Sequence, residues 1–164
     1  MKTVLITALA ALMGTSQAFA QTPSIVQNYR LDIGAAIKSM SSVDVAWGKT
    51  NLSIIAEGAG RIETEGKTVH FHAMCNIVDT LEGKRVVAGS GDCELSAIGG
   101  AKLYARFQTL PGIGDRGHLT LSGGTQEFSA FSGSLPVQVT VNPMLIGKPV
   151  FFLETLRSTV SEEH

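Results

Sequence analysis

The chain has little of what most function classes require. Only two cysteines occur in 164 residues, and no GxSxG elbow or HExxH helix is present, so hydrolase and zinc-protease chemistries lack their motifs. Lysine and arginine (13) nearly balance aspartate and glutamate (14), with no basic stripe, which argues against a nucleic-acid partner. Beyond the first twenty residues there is no apolar run of the roughly 20 residues that a membrane-spanning helix needs, so the chain is not expected to be membrane-embedded. No motif implies a cofactor.

What is present begins with an export signal. Lys2 supplies a positive start, Val4 to Met13 form an uncharged apolar run, and Ala18-Phe19-Ala20 places small residues where a signal peptidase reads them. Gln21-Thr22-Pro23 follows as a polar, helix-averse start. The apolar run is too short for an anchor, and no cysteine sits at the cleavage point to carry a lipid. Residues 1–20 are therefore expected to be removed after Ala20, leaving 21–164 as a single periplasmic or secreted domain.

The remainder alternates with a period of two, the pattern of half-buried strands. Val69, Phe71, Ala73, Cys75 and Ile77 share one face, against His70, His72, Met74 and Asn76 on the other. Leu103, Ala105 and Phe107 oppose Tyr104, Arg106 and Gln108, and Val137, Val139 and Val141 oppose Gln138 and Thr140. Turn residues punctuate these runs at Glu65-Gly66, Glu82-Gly83, Leu110 to Gly117, Gly123-Gly124 and Asn142-Pro143. The spacing predicts an all-β fold: a small antiparallel barrel or sandwich of about eight strands, near 24–34, 41–47, 50–57, 67–78, 85–97, 100–109, 117–122 with 128–141, and 148–159. Gly34 to Met40 is the one short helical candidate. Cys75 and Cys93 each fall on an apolar face of adjacent strands, and in an oxidising compartment an even pair reads as a disulfide; two buried free thiols are the alternative.

The stretch Gly123-Gly124-Thr125-Gln126-Glu127-Phe128 to Gly133 resembles a GGTGxFxGxxG signature. That signature occurs in the barrel superfamily of allene oxide cyclase and the dirigent proteins, and in small secreted bacterial relatives of that superfamily without an assigned role. Cys75 followed by Asp79 to Gly83 is similar to a cysteine and acidic turn found in those relatives. Gln126 and Ala130 depart from the signature, and no catalytic residue of a cyclase can be carried across. The resemblance implies an antiparallel barrel with a lumen.

Candidate sites remain sparse. Trp47, Phe71, Phe107 and Phe128, with Phe151 and Phe152, are aromatics that either fill the core or line a pocket for a small apolar molecule. His70 and His72 lie about 7 Å apart on one strand face and, with His118, are the weak candidates for a metal site; exposed surface histidines are the simpler reading. Gly112 to Gly117 spells GxGxxG but precedes an alternating strand instead of a helix, so it does not read as a dinucleotide site. Asp92 and Glu94 share a polar strand face. The lead expectation is a non-catalytic barrel that takes a small apolar ligand. The alternatives are a cyclase- or isomerase-like enzyme that shapes its substrate, needing Glu57, Tyr104 or Glu154 to point inward, and a protein-interaction module.

Overall fold

The computed structural model describes residues 29–64, 66–142 and 149–156; the expected signal peptide lies outside them. Eight strands follow in order: β1 Arg30–Val45, β2 Lys49–Thr64, β3 Lys67–Glu82, β4 Arg85–Ala97, β5 Lys102–Leu110, β6 Ile113–Gly124, β7 Ser132–Asn142 and β8 Val150–Thr155. Each pairs antiparallel with the next, and β1 also pairs with β8 from Asp32↔Glu154 to Ala36↔Val150. The sheet is thus a closed up-and-down barrel, as the alternation and turn spacing predict.

Inward and outward positions follow the sequence parity. Phe71, Ala73, Cys75 and Ile77 are buried while His70, His72, Met74 and Asn76 are exposed. The inward residues of all eight strands form one contiguous hydrophobic cluster. An eight-stranded ring has an interior just wide enough for side chains to fill, so large residues on one strand must face small ones on another. Gly91 shows this directly. It points inward on β4, and a Cβ there would overlap the ring of Phe107, the bulkiest fully buried side chain beside Phe151.

Cys75 and Cys93 sit directly opposite each other on β3 and β4, with Cα atoms 4.1 Å apart, and are joined in a disulfide. Their placement inside the core makes the bridge a staple between neighbouring strands. A disulfide is also compatible with an extracytoplasmic location. Among the described residues no helix is long and apolar enough to cross a membrane.

Two local expectations change. The helical candidate at Gly34 to Met40 is strand: β1 runs through it, with a bulge between Ile37 and Ser39. The bulge shifts the register of β1 against β2 by one residue and the strand carries on, so no helix starts here. Beyond the bulge, residues 38–48 are exposed on both faces, because β1 continues past the end of its pairing with β8. Trp47 therefore stands on the tip of a β1–β2 hairpin arm at 89% exposure, with a left-handed φ of 74°, and belongs to neither core nor pocket. Val43 and Val45 alternate with Asp44 and Ala46 along this arm, yet both are exposed, and no second layer lies against it among the described residues.

Gly91→Ala is expected to destabilise the protein by about 1–3 kcal/mol through overpacking against Phe107. Gly99→Ala meets nothing within 4 Å and is expected to stay within about 0.5 kcal/mol of wild type; urea denaturation of both variants checks the contrast. Replacing both Cys75 and Cys93 by alanine should lower stability by about 3 kcal/mol, read from denaturation curves with and without reductant.

Candidate functional site

The two ends of the barrel differ. At the end carrying the β2–β3 and β4–β5 turns, a single 3₁₀ turn at Gln126–Phe128 links β6 to β7. It delivers Phe128 into the barrel, where its ring lies 5.3 Å from Phe71 and 5.2 Å from Phe131. Tyr29 is buried in the same cluster, and burial pushes its hydroxyl up to about 12. This aromatic cluster plugs that end.

At the opposite end, with the β1–β2, β3–β4 and β5–β6 turns, no such plug occurs among the described residues. A depression of about 390 Å³ is walled by Ile77, Val139, Val141 and Phe151, with Val86, Arg85 and the segment from Gly112 to Asp115 at its rim. Phe151 forms its floor and packs on Phe107 below, ring centroids 5.6 Å apart. The β5–β6 turn leans over the opening, since the Gly112 N–H donates to the Val87 carbonyl at 2.9 Å. The literal GxGxxG match is thus this turn and the start of β6, with strand on both sides.

One polar side chain reaches into the depression. Asp79 continues the inward series Phe71, Ala73, Cys75, Ile77 and is 8% exposed. Its carboxylate accepts no hydrogen bond and makes no ion pair among the described residues, and burial alone pushes it up to about 6. Room for it exists because β4 presents Gly89 opposite: a Cβ there would collide with the Asp79 carboxylate. The ladder between β4 and β5 ends at Ser90↔Gln108, and below it the buried Thr109 hydroxyl takes over, accepting from the Gly89 N–H at 2.6 Å and donating to the Gly89 carbonyl at 3.2 Å. The mouth is held open by glycine and braced by threonine.

The residues singled out from sequence distribute differently. Phe71 and Phe128 belong to the plugged end, and Phe107 supports the floor of the open one without lining it. His70 and His72 stand outward on β3 and His118 outward on β6; His72 Nε2 lies 3.0 Å from Glu57 Oε1. No group of three or more histidine, cysteine or acidic side chains placed to hold a metal occurs among the described residues.

Glu57, Tyr104 and Glu154 all face outward, so the inward polar group that an enzymatic reading needs is supplied by none of them. Hydrogen bonds from Lys38 at 2.9 Å and from His72 hold Glu57 below the usual carboxylate range. Asp92 and Glu94 are likewise held low by Arg106 (2.7 and 3.0 Å) and Lys102 (2.8 Å), each by its own cation. A second shallow depression, on the outer wall around Ile55, Met74 and Tyr104, therefore offers only carboxylates that are already paired.

Asp79 is a functional candidate that local pattern hides, because the strand predicted over 67–78 stops one residue short and leaves Asp79 in the acidic turn that follows. The alternation, carried one step further, places it inward. Comparison of the chain with protein-family models, with curated proteins and with solved structures returned no match.

A carboxyl whose pKa is raised by folding, here from 3.8 to about 6, favours the folded state only while protonated. Stability from this group is greatest below pH 4 and is lost as pH rises through 6. Asp79→Asn is therefore expected to be more stable than wild type at pH 7.5, by about 1–2 kcal/mol after allowance for solvent screening. The difference should vanish near pH 3.5, as read by urea denaturation at the two pH values.

Proposed function

We propose that this protein is an exported, non-catalytic binding module that takes a small, largely apolar molecule into the open mouth of its barrel. The observation that carries this reading is the depression itself: apolar walls, a floor of Phe151, and one buried polar group with no partner among the described residues. Ligand pockets have this composition, mostly apolar with a few placed polar groups. The filled interior and plugged far end support a ligand site at one mouth over one along the axis. The export signal and the disulfide support an extracytoplasmic setting, and the glycine-rich signature of the cyclase and dirigent barrel superfamily supports a barrel used as a container.

A second reading has one specific observation behind it. A carboxylic acid titrating at about 6 within an apolar pocket suits proton transfer near neutral pH. The protein would then be a cyclase- or isomerase-like enzyme that shapes a reactive substrate, with Asp79 as its acid or base. The absence of a second inward polar group near Asp79 among the described lining residues, apart from the rim residues Arg85 and Asp115, makes binding the better-supported function.

The neutral fluorescent probe N-phenyl-1-naphthylamine is expected to bind wild-type protein saturably at one site. Val139→Trp, which fills the depression from its wall, is expected to abolish that signal while leaving the denaturation midpoint close to wild type. Failure of the wild type to bind apolar probes saturably would remove the proposal.

A further inference from the structure

We infer that the mouth selects ligands that carry a protonated amine on an apolar body, the ammonium pairing with Asp79 and the body resting on Ile77, Val139 and Phe151. The inference rests on the mouth being a binding site and names the chemistry of what it binds.

Asp79 points into the depression from β3, is nine-tenths buried, and has no hydrogen-bond or ion-pair partner among the described residues. A buried carboxylate without a partner is costly, and the cost is relieved by a ligand that brings a complementary charge. Two other charged residues line the same depression. Arg85 is two-thirds exposed, and its guanidinium pairs with Glu82 at 3.4 Å. Asp115 adds a second negative charge at the rim.

Neither pairs with Asp79, and the lining among the described residues, with two acidic side chains and one basic, is net acidic. An anionic ligand would meet Asp79 head-on. A neutral hydroxyl would satisfy one lone pair and leave the charge uncompensated. A primary ammonium does both tasks at once, as a compact charge with three donors. The described side chains next to Asp79 are hydrocarbon, so the charge pair sets the orientation of the ligand: the ammonium at Asp79, one layer nearer the mouth than Ile77, and the apolar body against Ile77, Val139 and Phe151.

The test uses three ligands of one shape: 4-phenylbutylammonium, 4-phenylbutanol and 4-phenylbutanoate. Each is titrated against the full-length mature protein by isothermal calorimetry at pH 7.5 and at pH 5. At pH 7.5 the ammonium is expected to bind ~10-fold or more tightly than the alcohol, the scale of one charge-assisted hydrogen bond, with the carboxylate weakest. At pH 5, below the titration of Asp79, the preference for the ammonium should shrink severalfold. In Asp79→Asn the ammonium should lose its advantage over the alcohol at both pH values, the ratio of the two affinities being the readout, with folding checked by the urea midpoint.

Equal affinity for ammonium and alcohol on wild type, or a preference that survives Asp79→Asn, overturns the inference and leaves the binding reading in place. If none of the three binds and the apolar probe also fails, the binding reading falls and the inference falls with it.

Discussion

An eight-stranded ring encloses a space about one layer of side chains across, and every other feature of this protein is an answer to how that space is filled. Large residues such as Phe107 and Phe151 can enter only where an opposing strand supplies alanine or glycine. β4 supplies glycine twice, at Gly91 and Gly89. The first makes room for an aromatic ring and the second for a carboxylate. The same device, a missing Cβ, yields a packed core in one layer and a chemically distinct mouth in the next.

The ends of the ring are where the geometry is not self-completing. One end is stopped by a short 3₁₀ turn that drives Phe128 against Phe71 and Phe131. The other has no such plug among the described residues. There the ladder between β4 and β5 stops, Thr109 substitutes a side-chain hydroxyl for the missing backbone bonds, and the β5–β6 turn folds across to Val87. The outer wall is organised on a different principle: several of its acidic residues face cations on neighbouring strands, Asp92 to Arg106, Glu94 to Lys102, Glu57 to Lys38. Such exposed pairs contribute little to stability. They do leave Asp79 as the acidic group that stands apart, buried and unpaired within the described structure. The disulfide, inside the core between β3 and β4, holds together the two strands that shape the site around Asp79 and Gly89.

Much of this was legible in the sequence because a β-barrel writes its inside and outside at period two. The alternation from Val69 to Ile77, from Leu103 to Phe107 and from Val137 to Val141 assigns faces without reference to any partner strand. The cysteine pair falls on apolar faces for the same reason. The readings that changed are those in which local pattern met a non-local fact. Gly34 to Met40 has too little alternation to declare itself a strand, and pairing with β2 and β8 decides it. Trp47 follows apolar residues in sequence but sits on an arm that has left the barrel. Asp79 borders a Glu82-Gly83 turn, which drew it into the turn by composition although its parity is inward.

The sequence by itself determined the fold class, the face on which most residues lie, and the cysteine pairing, because each depends on period, turn residues or parity along one or two neighbouring strands. Only the tertiary structure decided which end of the barrel the aromatic cluster fills, and which acidic residue is buried without a cation among the described residues. Those outcomes depend on where strands from distant parts of the chain stop pairing and what their inward residues meet across the ring. A missing Cβ at Gly89 has consequence only because Asp79 arrives opposite it.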